Sequence, residues 1–243
     1  MGLPKIDIPT QTVVLPSDKR ELVVRPFLVK EEKILLTAIQ SGESKDIVHA
    51  TKQVIQNCII TQGVDVDKLP MYDLEYLILQ LRIMSIGNTL SLKVSPIEDS
   101  TCEECKAGRD IEVDLSTAEV IFNPNHQHKI ELTNTVGVIL KDPSAKLMDS
   151  FDKVSQTNSA ESLFKLIWMC IESVYDESTV TSAKDVSEKE GIEFLESLNA
   201  QQFGKIDAFF KTLPKLSLPI KIKCGKCDFE DEQVLERLET FFG

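Results

Sequence analysis

Two short apolar runs open the chain, Val13-Val14-Leu15 and Leu22-Val23-Val24, with the turn formers Pro16, Ser17 and Asp18 between them. This pattern predicts a β-hairpin over Thr12 to Arg25, ended by Pro26. The spacing then becomes helical. Lys30 to Ile39 carries Glu31 and Glu32 where the dipole of a first turn favours carboxylates, places Leu35, Leu36 and Ile39 on one side, and stops at Gly42. Ile47, Val48, Thr51, Val54, Ile55, Cys58 and Ile59 fall at i, i+1, i+4, i+7, i+8, i+11 and i+12, the stripe of an amphipathic helix. A third helix follows Pro70, with Leu74, Leu77, Ile78 and Leu81 recurring until Gly87.

From Thr89 the period falls to two. Leu90, Leu92 and Val94 alternate with polar residues, as do Ile111, Val113 and Leu115, and Cys102-Glu103-Glu104-Cys105 lies between these strands. Further strands are expected over His128 to Leu132 and Val136 to Leu140, joined by Thr133, Asn134 and Thr135. Helical spacing then returns. Asn158 with Glu161 forms a capping box, and Leu163, Phe164, Ile167, Cys170, Ile171 and Val174 form one stripe. Ser187 with Glu190 repeats the capping signal, and Phe203, Ile206, Phe210 and Leu213 close the block before Pro214. Leu216, Leu218, Ile220 and Ile222 alternate into Cys224-Gly225-Lys226-Cys227, and Val234, Leu235, Leu238, Phe241 and Phe242 predict a short C-terminal helix.

The pattern is that of an α+β chain with five regions. They are an extended arm and hairpin over 1–27, helices over 28–87, a β region with the first cysteine pair over 88–142, a helical insertion over 143–214, and the second pair with the tail over 215–243.

Composition changes this picture little. Of 243 residues, 42% are apolar and 27% charged, an ordinary globular mix. The charge matters more, because a balance of −12 repels phosphate backbones, so generic nucleic-acid binding would need a local basic patch. The first ten residues hold no apolar run long enough for a signal-peptide centre. The longest apolar stretch, Leu163 to Ile171, is broken by Lys165 and is far shorter than the roughly 20 residues of a spanning helix. A soluble, non-secreted chain is expected.

The candidate chemistry lies in the cysteines. Cys58 and Cys170 each sit on the apolar stripe of a helix and read as core residues. The other four form two Cys-x-x-Cys pairs, each next to a strand end. Two such knuckles brought together place Cys102, Cys105, Cys224 and Cys227 around one Zn²⁺, as in a zinc ribbon whose halves are separated by an insertion. The long separation is no obstacle, because loop-closure entropy grows only logarithmically, whereas structural zinc supplies roughly 10 to 16 kcal/mol in peptides. Redox chemistry is the weaker reading, since neither pair stands at the strand-to-helix turn of a βαβ unit. Structural disulfides would need an oxidising compartment. Lys221, Lys223 and Lys226 near the second pair, with Lys106 and Arg109 near the first, suit either the negative charge of a four-thiolate zinc site or phosphate contact. A zinc-ribbon nucleic-acid adaptor is therefore the alternative function.

His126 and His128, spaced i, i+2, would share one side of a strand and can ligate a metal, although a pair of surface histidines is the plainer reading; His49 has no partner in the pattern. No Ser-His-Asp set, Gly-rich phosphate loop or His-Glu-x-x-His motif supports an enzyme, and four-thiolate zinc leaves no position for a catalytic water.

The run Arg25-Pro26-Phe27-Leu28-Val29-Lys30-Glu31-Glu32-Lys33-Ile34-Leu35-Leu36, preceded by Leu15-Pro16-Ser17, resembles the T-even-type myophage baseplate hub subunit and hub assembly family. The likeness continues through Asn57-Cys58, Asp73-Leu74-Glu75-Tyr76, Leu81-Arg82, Ser85 and Gly87, covering about the first 90 residues well and the rest more loosely. It implies a structural or assembly role at the hub of a contractile phage tail, built in the bacterial cytoplasm, with other tail proteins as partners. Within the motif, Arg25 and Pro26 set the exit from the hairpin, and Phe27 and Leu28 pack beneath the following helix. Lys30, Glu31, Glu32 and Lys33 cannot all face a core, so they are the candidate polar rim of a partner surface.

Overall fold

The computed structural model describes residues 6–94, 102–147, 160–227 and 229–235. In chain order, β1 (Gln11–Val14) and β2 (Glu21–Val24) precede α1 (Val29–Ser41), α2 (Ser44–Cys58) and α3 (Met71–Ile86). Next come β3 (Thr89–Val94), α4 (Glu103–Ala107), β4 (Arg109–Asp114), β5 (Glu119–Ile121), β6 (Lys129–Glu131) and β7 (Gly137–Leu140). The remainder is α5 (Ala160–Cys170), β8 (Ile171–Tyr175), β9 (Val180–Ser182), α6 (Glu188–Glu196), α7 (Ala200–Lys211), β10 (Lys215–Lys223) and β11 (Glu230–Leu235). The fold is α+β, with helices and antiparallel sheets. No described helix is long and apolar enough to cross a membrane.

Two compact units divide the chain. One is assembled from Met1–Val64, Tyr72–Ile121 and Lys215–Gly243, and the other from Asp65–Met71 and Phe122–Pro214.

In the first unit the alternation of β10 is realised in full: Leu216, Leu218, Ile220 and Ile222 are buried, while Lys215, Pro219, Lys221 and Lys223 are exposed. These four side chains pack with Leu79 of α3, Leu90 of β3 and Val113 of β4, and each such burial stabilises by roughly 1.5–3 kcal/mol over exposure. β10 pairs with β5 over Lys215–Ser217 and with β11 over Leu218–Lys223. Pro219 lacks a donor, and it sits where β10 has β11 alone as a named neighbour.

The N-terminal hairpin pairs Val13 with Leu22 and buries both, with Leu15 and Val24. The Ser17 amide and hydroxyl both donate to the Asp73 carboxylate at the start of α3, at 3.1 and 2.5 Å, fixing the hairpin turn to that helix. Gly42 ends α1 in the left-handed region at φ 71°, where a Cβ would be strained.

Three expectations from the hydrophobic pattern are corrected. Leu36 is 49% exposed, because α1 turns Glu31, Leu35 and Ala38 inward instead. Val234 and Leu235 belong to strand β11, paired with Pro219 and Leu218, because a remote strand supplies the partner that decides the conformation; Leu238, Phe241 and Phe242 lie outside the described residues. Ile171 and Val174 are likewise in a strand, since the chain passes from α5 directly into β8.

That change of conformation organises the second unit, where β6, β7, β8 and β9 form a four-stranded antiparallel sheet in that order. Between β7 and β9, the hydrogen bonds of 171–175 outweigh the helical spacing of their apolar side chains. Trp168, Ile171, Leu195, Ile206 and Phe209 join the sheet residues Val138 and Leu140 in one core. The Ser187–Glu190 capping box is present at α6, and Asn199 with Gln202 makes a second one at α7 that the pattern analysis did not single out. The Asn158–Glu161 box falls outside the described residues and side chains.

Candidate metal centre

The two cysteine pairs sit in the connections at the turn ends of two antiparallel hairpins. β3 and β4 are paired from Thr89↔Asp114 to Val94↔Arg109, and the first pair lies in the chain between them. Cys102 is the N-cap of α4 and Cys105 lies within that helix, where the Lys106 amide donates to the Cys102 carbonyl at 3.1 Å. Gly108, at φ 71°, ends α4 and turns the chain into β4. The second pair forms the tip of the β10–β11 hairpin, closed by the Cys224 amide donating to the Phe229 carbonyl at 3.0 Å.

The hairpins bring all four sulfurs within 4.8 Å of one another. Sγ of Cys102 lies 3.9 Å from that of Cys224, and Sγ of Cys105 lies 3.6 Å from that of Cys227. A tetrahedron of thiolates 2.3 Å from a central zinc has edges of about 3.8 Å. The same distances are far longer than the roughly 2.05 Å of a disulfide, and all six cysteines are free thiols.

The local electrostatics favour a cation. The Lys226 amide, 3.5 Å from Sγ of Cys224, lowers that thiol to about 6, toward the thiolate. At Cys227 the Phe229 amide pulls the same way, but the neighbouring Cys224 sulfur, burial and Cys102 outweigh it and push the thiol up. Neighbouring thiolates oppose one another's ionisation, and a divalent ion removes that penalty. The donor set therefore fits a thiophilic metal held in a closed four-sulfur shell.

The first pair does open a helix, contrary to the sequence pattern. That helix has five residues and joins antiparallel neighbours, so it is no βαβ redox unit. Cys58 and Cys170 are both buried, as their helical positions imply, and burial pushes their thiols up to about 11 and about 12.

Two lysines leading into the second knuckle face carboxylates. Lys221 pairs with Glu232 at 3.3 Å and Lys223 with Glu230 at 2.6 Å across the β10–β11 ladder. Of the four charged residues at the start of α1, Glu31 is completely buried, accepting from the Arg25 guanidinium at 3.1 Å and from the Leu28 amide at 2.9 Å. Lys30 and Lys33 are exposed and Glu32 half-buried. Glu31 therefore braces the helix start from within, and the surface role expected of it is withdrawn.

His49 is exposed on α2. His126 and His128 lie in the segment before β6 instead of on a strand. His126 is no surface residue: its side chain is 9% exposed, with Nε2 3.1 Å from the Asp142 carboxylate and Nδ1 3.0 Å from the Thr212 hydroxyl. Asp142 and Thr212 carry no local pattern that would have tied them to this histidine, since both are remote in sequence and meet it only in the fold.

Among known protein families, the chain matches over residues 8–243 the family described as T4 bacteriophage base plate protein. No curated protein and no solved structure matches it. With nearly its whole length aligned, the chain belongs to the T4 bacteriophage base plate protein family.

Proposed function

We propose that the chain is a non-enzymatic structural or assembly protein of the central hub of a contractile phage tail baseplate. It acts through protein–protein contacts, and one structural zinc on Cys102, Cys105, Cys224 and Cys227 ties its two hairpins together. The observation that carries the reading is the meeting of four sulfurs from two pairs remote in sequence at tetrahedral spacing, in a member of a baseplate family. A closed four-thiolate shell holds a fold and offers no position for a reacting water. Lys30, Glu32 and Lys33, beside Val29 at 81% exposure and Leu36 at 49%, form a polar rim with apolar positions suited to a partner in the assembling tail.

The competing nucleic-acid adaptor relies on the lysines of the second knuckle, and the pairing of Lys221 and Lys223 with glutamates weighs against it. The test is affinity purification of the full chain from phage-infected bacteria, before and after baseplate completion. Specific enrichment of hub and other baseplate proteins from the host cytoplasm is expected. Enrichment of nucleic acid that falls steeply with salt, without tail proteins, would contradict the proposal.

A further inference from the structure

The second unit holds a cluster that the four-sulfur site does not use. His126 leads into β6, His128 immediately precedes it, and Asp142 follows β7. One ligating atom from each lies within 4.8 Å of the others. The Asp142 carboxylate oxygen that stands 3.1 Å from Nε2 of His126 is also 3.9 Å from Nδ1 of His128.

One assignment of the ring protons fits the surrounding hydrogen bonds and leaves a lone pair on each ring for a metal. The Thr212 hydroxyl lies 3.1 and 3.0 Å from the Ala208 and Phe209 carbonyls of α7, which take its one proton. With the hydroxyl proton on those carbonyls, the Thr212 oxygen accepts from Nδ1 of His126, and the lone pair of the neutral ring is on Nε2. That lone pair faces a carboxylate oxygen, an arrangement that needs a cation. The Leu140 carbonyl, 3.0 Å away, takes the Nδ1 proton of His128 and leaves a lone pair on its other nitrogen. A backbone carbonyl and a hydroxyl fixing the far side of ligating imidazoles is the usual outer shell of a metal site. The His126 ring is held further by Phe209, with centroids 4.7 Å apart and planes inclined by 32°.

We infer that His126, His128 and Asp142 form a second divalent-metal site, selective for zinc-like ions by its two imidazoles and one carboxylate. Bonds of 2.0–2.2 Å to such an ion in a tetrahedral shell set ligand edges at about 3.3–3.6 Å, close to the 3.1 Å between His126 and Asp142. A proton on Nε2 would satisfy His126 and Asp142 alone, whereas a metal would also engage His128, the third member of the cluster, through the lone pair of its Nε2. The side chain of His128 is 53% exposed, so the fourth position opens to solvent and the ion exchanges readily, unlike one enclosed by four sulfurs. Bound there, it clamps the segment leading into β6 to the end of β7. This site is independent of the zinc proposed at the cysteines.

The test is Co²⁺ titration of the full chain followed by optical spectroscopy, with His128→Ala and Asp142→Asn as variants. Beside any sulfur-bound equivalent with its charge-transfer band, the wild type is expected to take one further equivalent that adds only the weak visible bands of nitrogen and oxygen ligation. His128→Ala should weaken that equivalent at least tenfold without changing any sulfur-bound one, and Asp142→Asn should do the same. If Asp142→Asn fails to fold, the half-exposed His128 decides alone. Absence of a nitrogen-ligated equivalent in the wild type, or its persistence in His128→Ala, would overturn the inference. So would NMR showing Nε2 of His126 protonated in the presence of excess Co²⁺ or Zn²⁺. A chain that binds metal only through nitrogen would leave the inference intact and refute the sulfur site.

Discussion

The Glu31 carboxylate, fully buried at the start of α1, lies 3.1 Å from the guanidinium of Arg25, the residue that leaves the N-terminal hairpin. Arg25 also donates to the Asn57 carbonyl at the end of α2, so one ion pair joins hairpin, first helix and second helix. Burial pushes the Glu31 carboxyl up, but hydrogen bonds from Arg25, the Leu28 amide and Lys30 outweigh it and hold the group below the ordinary glutamate range. A carboxylate held low in the folded chain stabilises above its unfolded pKa, and that contribution is lost as pH falls through the folded value. Stability should therefore drop on acidification from about pH 4.3 downward, less steeply in Glu31→Gln. Glu31→Ala should cost about 3 kcal/mol at pH 7 by leaving Arg25 partly buried and unpaired. Urea denaturation across pH measures both, and a flat difference between wild type and Glu31→Gln would contradict the assignment.

Gly191 of α6 lies directly against the indole of Trp168, where a Cβ would overlap the ring. Gly191→Ala should destabilise the second unit by about 3 kcal/mol, the upper end of the ordinary cost of overpacking. Trp168 is the single tryptophan of the chain, so its fluorescence reports the change. A lowered urea midpoint with shifted emission is expected, and wild-type values would contradict the close packing.

Lys221 and Lys223 meet Glu232 and Glu230 on an exposed sheet face. Exposed pairs contribute little, so the double alanine variant should stay within about 1 kcal/mol of wild-type stability. It should also leave co-purification with baseplate proteins unchanged. Loss of a measured nucleic-acid affinity in this variant would instead revive the adaptor reading.

Cys224→Ser removes one sulfur from the four-thiolate set. Sulfur-bound metal should fall from one equivalent toward none, and the melting temperature should fall with it. A strong chelator should have the same effect on the wild-type chain, since binding free energy at such a site is folding free energy. Unchanged melting after complete metal removal would contradict a structural role.

Much of the fold was legible in the chain because some residues carry their own geometry. Leu216, Leu218, Ile220 and Ile222 alternate strictly, and Ser187 with Glu190 caps a helix locally. The cysteine pairs were legible as a metal set because their spacing is chemical. What stayed hidden depends on partners remote in sequence. Ile171 and Val174 fit a helix until β7 and β9 claim them, and Val234 and Leu235 until β10 does. Glu31 reads as a surface charge because nothing nearby in sequence shows that Arg25 turns inward to meet it. His126 reads as a surface histidine for the same reason, its partners Asp142 and Thr212 being supplied by distant segments.

X-ray absorption at the zinc edge of the purified full-length chain, with elemental analysis of the same sample, tests the central claim most directly. One zinc per chain surrounded by four sulfurs at about 2.3 Å is the predicted result. With the exchangeable ion of the histidine site first removed by dialysis, substoichiometric metal, or a zinc shell with fewer than four sulfurs and the remainder nitrogen or oxygen, would contradict it.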